Sequence, residues 1–149
     1  MNALSPWARR PMLVLGFAAL GAGILAGLAR LGWPVPLAGL ASLHGPLMAS
    51  GFFGTVISLE RAVALGSLWA YGAPVAAAFG AVLLLFQSPA ASLLFTFSSL
   101  LLLAATAVVY ARQRALFTAT LLAGAAAWAV GNGLWLAGQP FPAIVPWWA

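Results

Sequence analysis

Residues 42–61, SLHGPLMASGFFGTVISLER, carry the only histidine and the only acid of the chain, His44 and Glu60, within one apolar stretch. Ionisable side chains in such a stretch are costly against lipid, so they turn toward a protein interior and often mark function. A neutral imidazole ligates haem iron, copper or zinc. Met48, one helical turn after His44, adds a soft thioether suited to Cu(I). At 100° per residue, His44, Met48, Gly51, Thr55 and Ser58 share one stripe of small or polar side chains, which admits either a neighbouring backbone or a flat cofactor. His44 and Met48 project from the same face. They could share a copper ion but could not be opposite axial ligands of one haem. A haem on His44 would take its second ligand from another helix, a partner subunit or an exogenous gas. In the plainer reading His44 hydrogen-bonds across helices and Met48 fills a gap. Pro46 places His44 near the first turn of its helix or at a kink.

Glu60 follows His44 by ~24 Å of helix and points nearly the opposite way, so one helix cannot bring both into one site. Glu60 reads as a proton-relay carboxylate, or as the partner of Arg61, Arg112 or Arg114 in a structural ion pair at the inner boundary. Asn132, within Gly131-Asn132-Gly133, lies at a depth like that of His44, where it could orient the imidazole or a ligand, or merely mark a fraying helix end. Trp128, one turn earlier, could stack on a flat cofactor or simply pack. Ser92, Thr96, Ser99 and Thr106 share a helix face that suits packing against another helix. The sequence has no phosphate-binding loop, dinucleotide fingerprint, zinc His pair or carboxylate dyad. It has no cysteine, which excludes disulfides and thiolate chemistry.

Hydrophobic segments must position these residues. Apolar residues make up 64% of the 149 and charged residues 5%, with a mean hydropathy of +1.08. Soluble domains carry about 25% charged residues. The pattern predicts an all-α, polytopic transmembrane bundle forming a single domain, with spans at 12–31, 37–65, 68–86, 91–111 and 115–137, each near the ~20 residues that cross a bilayer. Residues 144–149 look like the start of a sixth. The breakers between spans, such as Gly32-Trp33-Pro34-Val35-Pro36 and Gln87-Ser88-Pro89, are short and favour antiparallel neighbours. The run after Arg9-Arg10 is longer than a signal-peptide core and lacks a clear cleavage site, so it reads as a retained first helix.

All six basic residues are arginines, and they lie scattered between apolar runs, unlike a nucleic-acid-binding patch. With the N-terminus in the cytoplasm, Arg9, Arg10, Arg61, Arg112 and Arg114 fall inside and Arg30 alone outside, as the positive-inside rule requires. The composition suits a multi-pass protein of a bacterial inner membrane. The lipid bilayer is its expected partner, with a second copy or a membrane partner subunit as further candidates.

One internal similarity is visible. Leu28-Ala29-Arg30-Leu31-Gly32-Trp33-Pro34-Val35-Pro36 resembles Leu134-Trp135-Leu136-Ala137-Gly138-Gln139-Pro140-Phe141-Pro142, at an offset of 106 that also aligns Gly27 with Gly133. It is either a parallel duplication or the same ordinary loop used twice. As a duplication it makes the tail the start of a copy of helix two and suggests a truncated version of a longer parent.

The block His44-Gly45-Pro46-Leu47-Met48, followed by Gly51-Phe52-Phe53-Gly54-Thr55, resembles the NnrS-type bacterial membrane proteins. It is also similar to a set of multispanning bacterial proteins with a His-Gly-x-Leu-Met … Leu-Glu-Arg-Ala-Val-Ala-Leu signature, matched here by Leu59-Glu60-Arg61-Ala62-Val63-Ala64-Leu65. Gly131-Asn132-Gly133-Leu134-Trp135 and Val145-Pro146-Trp147-Trp148 extend the likeness. The NnrS resemblance implies haem or copper binding and a link to nitric-oxide metabolism; on the residue reading above, haem b or copper would sit at His44, with Met48, Trp128 and Asn132 as candidates around it, in nitric-oxide or respiratory metabolism. NnrS-type chains are longer and carry more than one histidine here. A cofactor-free membrane scaffold or small-solute transporter module stands beside that expectation.

Overall fold

The structure, a computed structural model, describes residues 4–36 and 38–148. Leu37, where the second span is expected to start, and Ala149, at the end of the tail, lie outside the described residues. Among those described there is no strand. Five helices are long and apolar enough to cross a membrane: α1 (Pro6–Arg30), α2 (Gly39–Leu65), α3 (Leu68–Leu85), α4 (Ala90–Arg112) and α5 (Leu116–Leu136). A short α6 (Phe141–Trp148) follows, whose eight residues are too few to span. The chain is an all-α bundle of membrane-spanning helices.

The spans stand close to the boundaries that hydropathy predicts, except that α1 starts six residues earlier. Ser5, in extended backbone, caps it, and Pro6 takes the first helical position, where a missing N–H costs nothing. Near this end the Arg10 guanidinium lies 3.4 Å from the centre of the Trp7 ring, and Arg9 Nε donates to Leu4 O at 2.8 Å. A cation stacked on tryptophan suits a membrane boundary, where one end of the pair is wet.

Packing follows chain order. α1 packs on α2 and α3, α3 on α4, and α2 on both α3 and α4. α5 leans on α4 and α6, and it is the least buried of the five spans. Small residues allow the tight approaches: Ala19, Ala22 and Ala26 on α1 and Ala77, Ala78 and Ala81 on α3 are buried. Large apolar side chains such as Phe17, Ile24, Phe79, Phe97 and Leu121 point outward, as lipid-facing residues do.

α2 is not uniform. It begins within a 3₁₀ stretch (Ala38–Leu43), becomes α-helical at His44, loosens into a π turn (Leu47–Phe53), and runs on as α-helix (Gly54–Leu65). His44 is thus the first α-helical residue, with Pro46 in the first turn, one of the two placements the sequence allows. The π turn inserts extra backbone between Met48 and Gly54 and shifts the side-chain register. Gly51 then faces both α1 and α3. A Cβ there would stand 3.1 Å from that of Ala19 and 3.2 Å from that of Ala81.

The two similar loops have the same geometry. Gly32 (φ +83°) and Gly138 (φ +77°) both adopt the left-handed conformation that glycine alone takes without strain. Gly32 N donates to Ala29 O and Trp33 N to Leu28 O; Gly138 N donates to Trp135 O and Gln139 N to Leu134 O. Each is the same two-bond helix terminus, displaced by the offset of 106 seen in sequence.

Candidate functional site

His44 faces α1. Its Nδ1 lies 2.8 Å from Gly23 O. A carbonyl oxygen only accepts, so Nδ1 donates, and in a neutral imidazole Nε2 keeps the lone pair. The ring lies against Gly27, where a Cβ would come within 2.8 Å of Nδ1. Met48 lies against Gly23, where a Cβ would come within 2.8 Å of its Sδ. Thr55 completes the row against Gly16 and returns its hydroxyl to Gly51 O at 2.6 Å. The small-residue stripe of α2 therefore meets α1 at His44, Met48, Gly51 and Thr55. The α1 glycines that receive it have a sequence signal of their own: Gly23-x-x-x-Gly27 in an apolar run, with Gly16 seven residues earlier.

Asn132 does not approach His44 through a hydrogen bond. Its Oδ1 accepts from Ser50 Oγ at 2.9 Å, and Trp128 Nε1 donates to the same Ser50 oxygen at 3.3 Å. Thr96 Oγ1 on α4 lies 3.0 Å from Asn132 O. This clasp ties the outer half of α5 to the middle of α2 and to α4. Asn132 and Ser50 are fully buried, and Asn132 Nδ2 has no partner there. Trp128 lies with its ring edge on Gly54, where a Cβ would be 2.6 Å from Cζ2. Ser50 is the member that sequence reasoning missed. On an ideal helix it shares a face with Gly54, Ile57 and Arg61, and that face meets α5.

Glu60 and Arg61 diverge. Glu60 is exposed on the outer surface of the bundle. Arg61, the next residue, turns inward, and its Nε is buried without a hydrogen-bond partner. It lines a lateral groove of about 330 Å³ between α2 and α5, floored by α4. Phe53, Ile57, Leu102 and Leu121 form its apolar walls. Trp128 and Trp148 close its outer end. A second cleft at the outer side, bordered by Arg30, Ser42, Phe141 and Trp148, lies beside the start of α2 but is not lined by His44.

The family described as a domain of unknown function, DUF8744, matches residues 9–149. The chain belongs to that family. No curated protein and no solved structure matches it. Within this DUF8744 chain the residues do not make up a whole haem or copper site. His44 offers one nitrogen, the Met48 sulfur is packed on Gly23, and among the described residues no three His, Cys, Asp or Glu side chains cluster.

Proposed function

We propose that this DUF8744 chain is a non-catalytic helical scaffold of a bacterial inner membrane, with its N-terminus in the cytoplasm. One observation carries the reading: His44 and the Ser50, Trp128 and Asn132 side chains spend hydrogen bonds on joining helices, while Thr55 and Ser58 bond back to their own helix. His44 joins α2 to α1, and Ser50, Trp128, Asn132 and Thr96 join α5 to α2 and α4. The arginine asymmetry supports the orientation. The test is a visible spectrum and metal analysis of the detergent-purified chain beside its His44→Ala variant. The scaffold reading expects no Soret band, no stoichiometric metal, and a lower unfolding midpoint in the variant.

A second reading has one observation in its favour. A metal-bound histidine commonly donates its other ring N–H to a carbonyl or carboxylate, which orients the ring. His44 Nδ1 does so toward Gly23 O, leaving the Nε2 lone pair available. His44 would then supply one ligand to haem or copper and a partner subunit or second copy the other. A Soret band or copper present in the wild type and lost in His44→Ala would establish this reading and remove the first.

A further inference from the structure

We propose that the groove between α2 and α5 is a specific site for one acyl chain of an anionic phospholipid from the inner leaflet, with the phosphate held at Arg61. The groove is amphipathic along its length. Arg61 stands four residues before the end of α2, Thr120 four residues after the start of α5, and Thr106 six before the end of α4. All three line the groove, within ~6–9 Å of the same ends of their helices. The polar residues therefore cluster at one mouth, on the inner side in the orientation that the arginines favour.

Above that mouth the walls are apolar. From Arg61 to Ala49, the farthest α2 residue lining the groove, is ~18 Å of helix, close to the ~15 Å depth of one leaflet. The groove opens laterally, so a chain can enter from the bilayer without crossing water. The Arg61 Nε, buried without a partner, identifies the head of the occupant. A buried guanidinium N–H lacking an acceptor calls for an anion, and phosphate is the group Arg binds best in planar, two-point geometry. The exposed Glu60 leaves Arg61 the basic group of this mouth without neutralising it from inside the groove.

The test uses the full chain in detergent, equilibrated with equal phosphatidylglycerol and phosphatidylethanolamine of identical acyl chains, then repurified. Retained lipid per chain is measured by mass spectrometry of the extract. The wild type should retain phosphatidylglycerol in excess. Arg61→Gln should lower its retention about tenfold, the scale of one charge-assisted contact, and Arg61→Lys by less. Gly124→Leu places a side chain in open space on the groove wall, since nothing lies within 4 Å of a Cβ there. It should remove both lipids while circular dichroism stays helical. Equal retention of the two lipids by the wild type, or unchanged retention in Arg61→Gln, overturns the proposal. So does a Gly124→Leu variant that keeps its lipid but changes from dimer to monomer, which would assign the groove to a second copy. If Arg61→Gln does not fold, the Lys and Leu variants decide.

Discussion

Gly27→Ala tests the α1–α2 joint most directly. The added Cβ would stand 2.8 Å from His44 Nδ1 and 3.0 Å from its Cε1, well inside the ~3.5–4.0 Å of relaxed contact. The imidazole is rigid and tied to Gly23 O one turn away, so it cannot yield without losing that bond. Overpacking of this kind costs about 1–3 kcal/mol. An interhelical hydrogen bond within a membrane adds ~0.6 kcal/mol. Alanine in place of glycine returns up to ~1 kcal/mol of helix propensity. With the full propensity return, the net expectation is a loss of about 0.6–2.6 kcal/mol. Gly23→Ala is the control. Its Cβ meets Met48 Sδ at 2.8 Å, but a flexible thioether can step aside, so the change should be near neutral. The assay is reversible unfolding by dodecyl sulfate in mixed micelles, followed by circular dichroism. Adding His44→Ala removes the ring and should recover most of the Gly27→Ala loss, so the double variant should be far from additive. Equal stability of Gly27→Ala and Gly23→Ala, or strict additivity with His44→Ala, would refute the packing argument.

Three further outcomes follow from the same structure. Ser50→Ala leaves Asn132 Oδ1 and Trp128 Nε1 unpaired and should cost about 1–3 kcal/mol in the same assay, while pairing it with Asn132→Leu should recover part of the loss. Gly54→Ala puts a Cβ 2.6 Å from Trp128 Cζ2 and should displace the indole, which near-ultraviolet circular dichroism would register as a lost tryptophan band; an unchanged band would contradict the contact. The chain has no native cysteine, so single cysteines report topology cleanly. In intact cells an impermeant maleimide should label Ser88→Cys and Gln139→Cys, and should reach Ser67→Cys and Gln113→Cys only after lysis; the opposite pattern would invert the orientation.

The five spans were legible because lipid imposes length and apolarity on any crossing helix, whatever its partners. The position of His44 was legible too, since Pro46 belongs at a helix start. The partners of the polar residues were harder to read. Helix association in lipid is not driven by an apolar stripe, so hydropathy carries little information about which faces meet. The stripe from His44 to Ser58 was visible, but its occupant had to be found in the glycines of α1. Asn132 at the depth of His44 suggested a shared site. Depth is one coordinate and azimuth another: Ser50, six residues after His44 and about 240° around an ideal helix, is the residue that faces α5. The opposed directions of Glu60 and Arg61 follow from the 100° step of a helix, yet which one enters the bundle depends on where α4 and α5 stand.

The two joints differ in kind, and that difference produces the groove. α1 lies on α2 through glycines spaced along much of the contact, at Gly16, Gly23 and Gly27, so the pair is closed over several turns. α5 meets α2 through Ser50, Asn132 and Trp128 on Gly54, from the outer part of α5 to the middle of α2. Below Gly54 the α2 residues that face α5 across the groove are Ile57 and Arg61, both large. α5, held by α4 along one side and touching α2 at few residues, leaves the groove between them, with Arg61 toward its inner end. The buried donor of Arg61 sits at the inner end of that groove, where an unmet hydrogen bond favours whatever anion the surrounding lipid can supply.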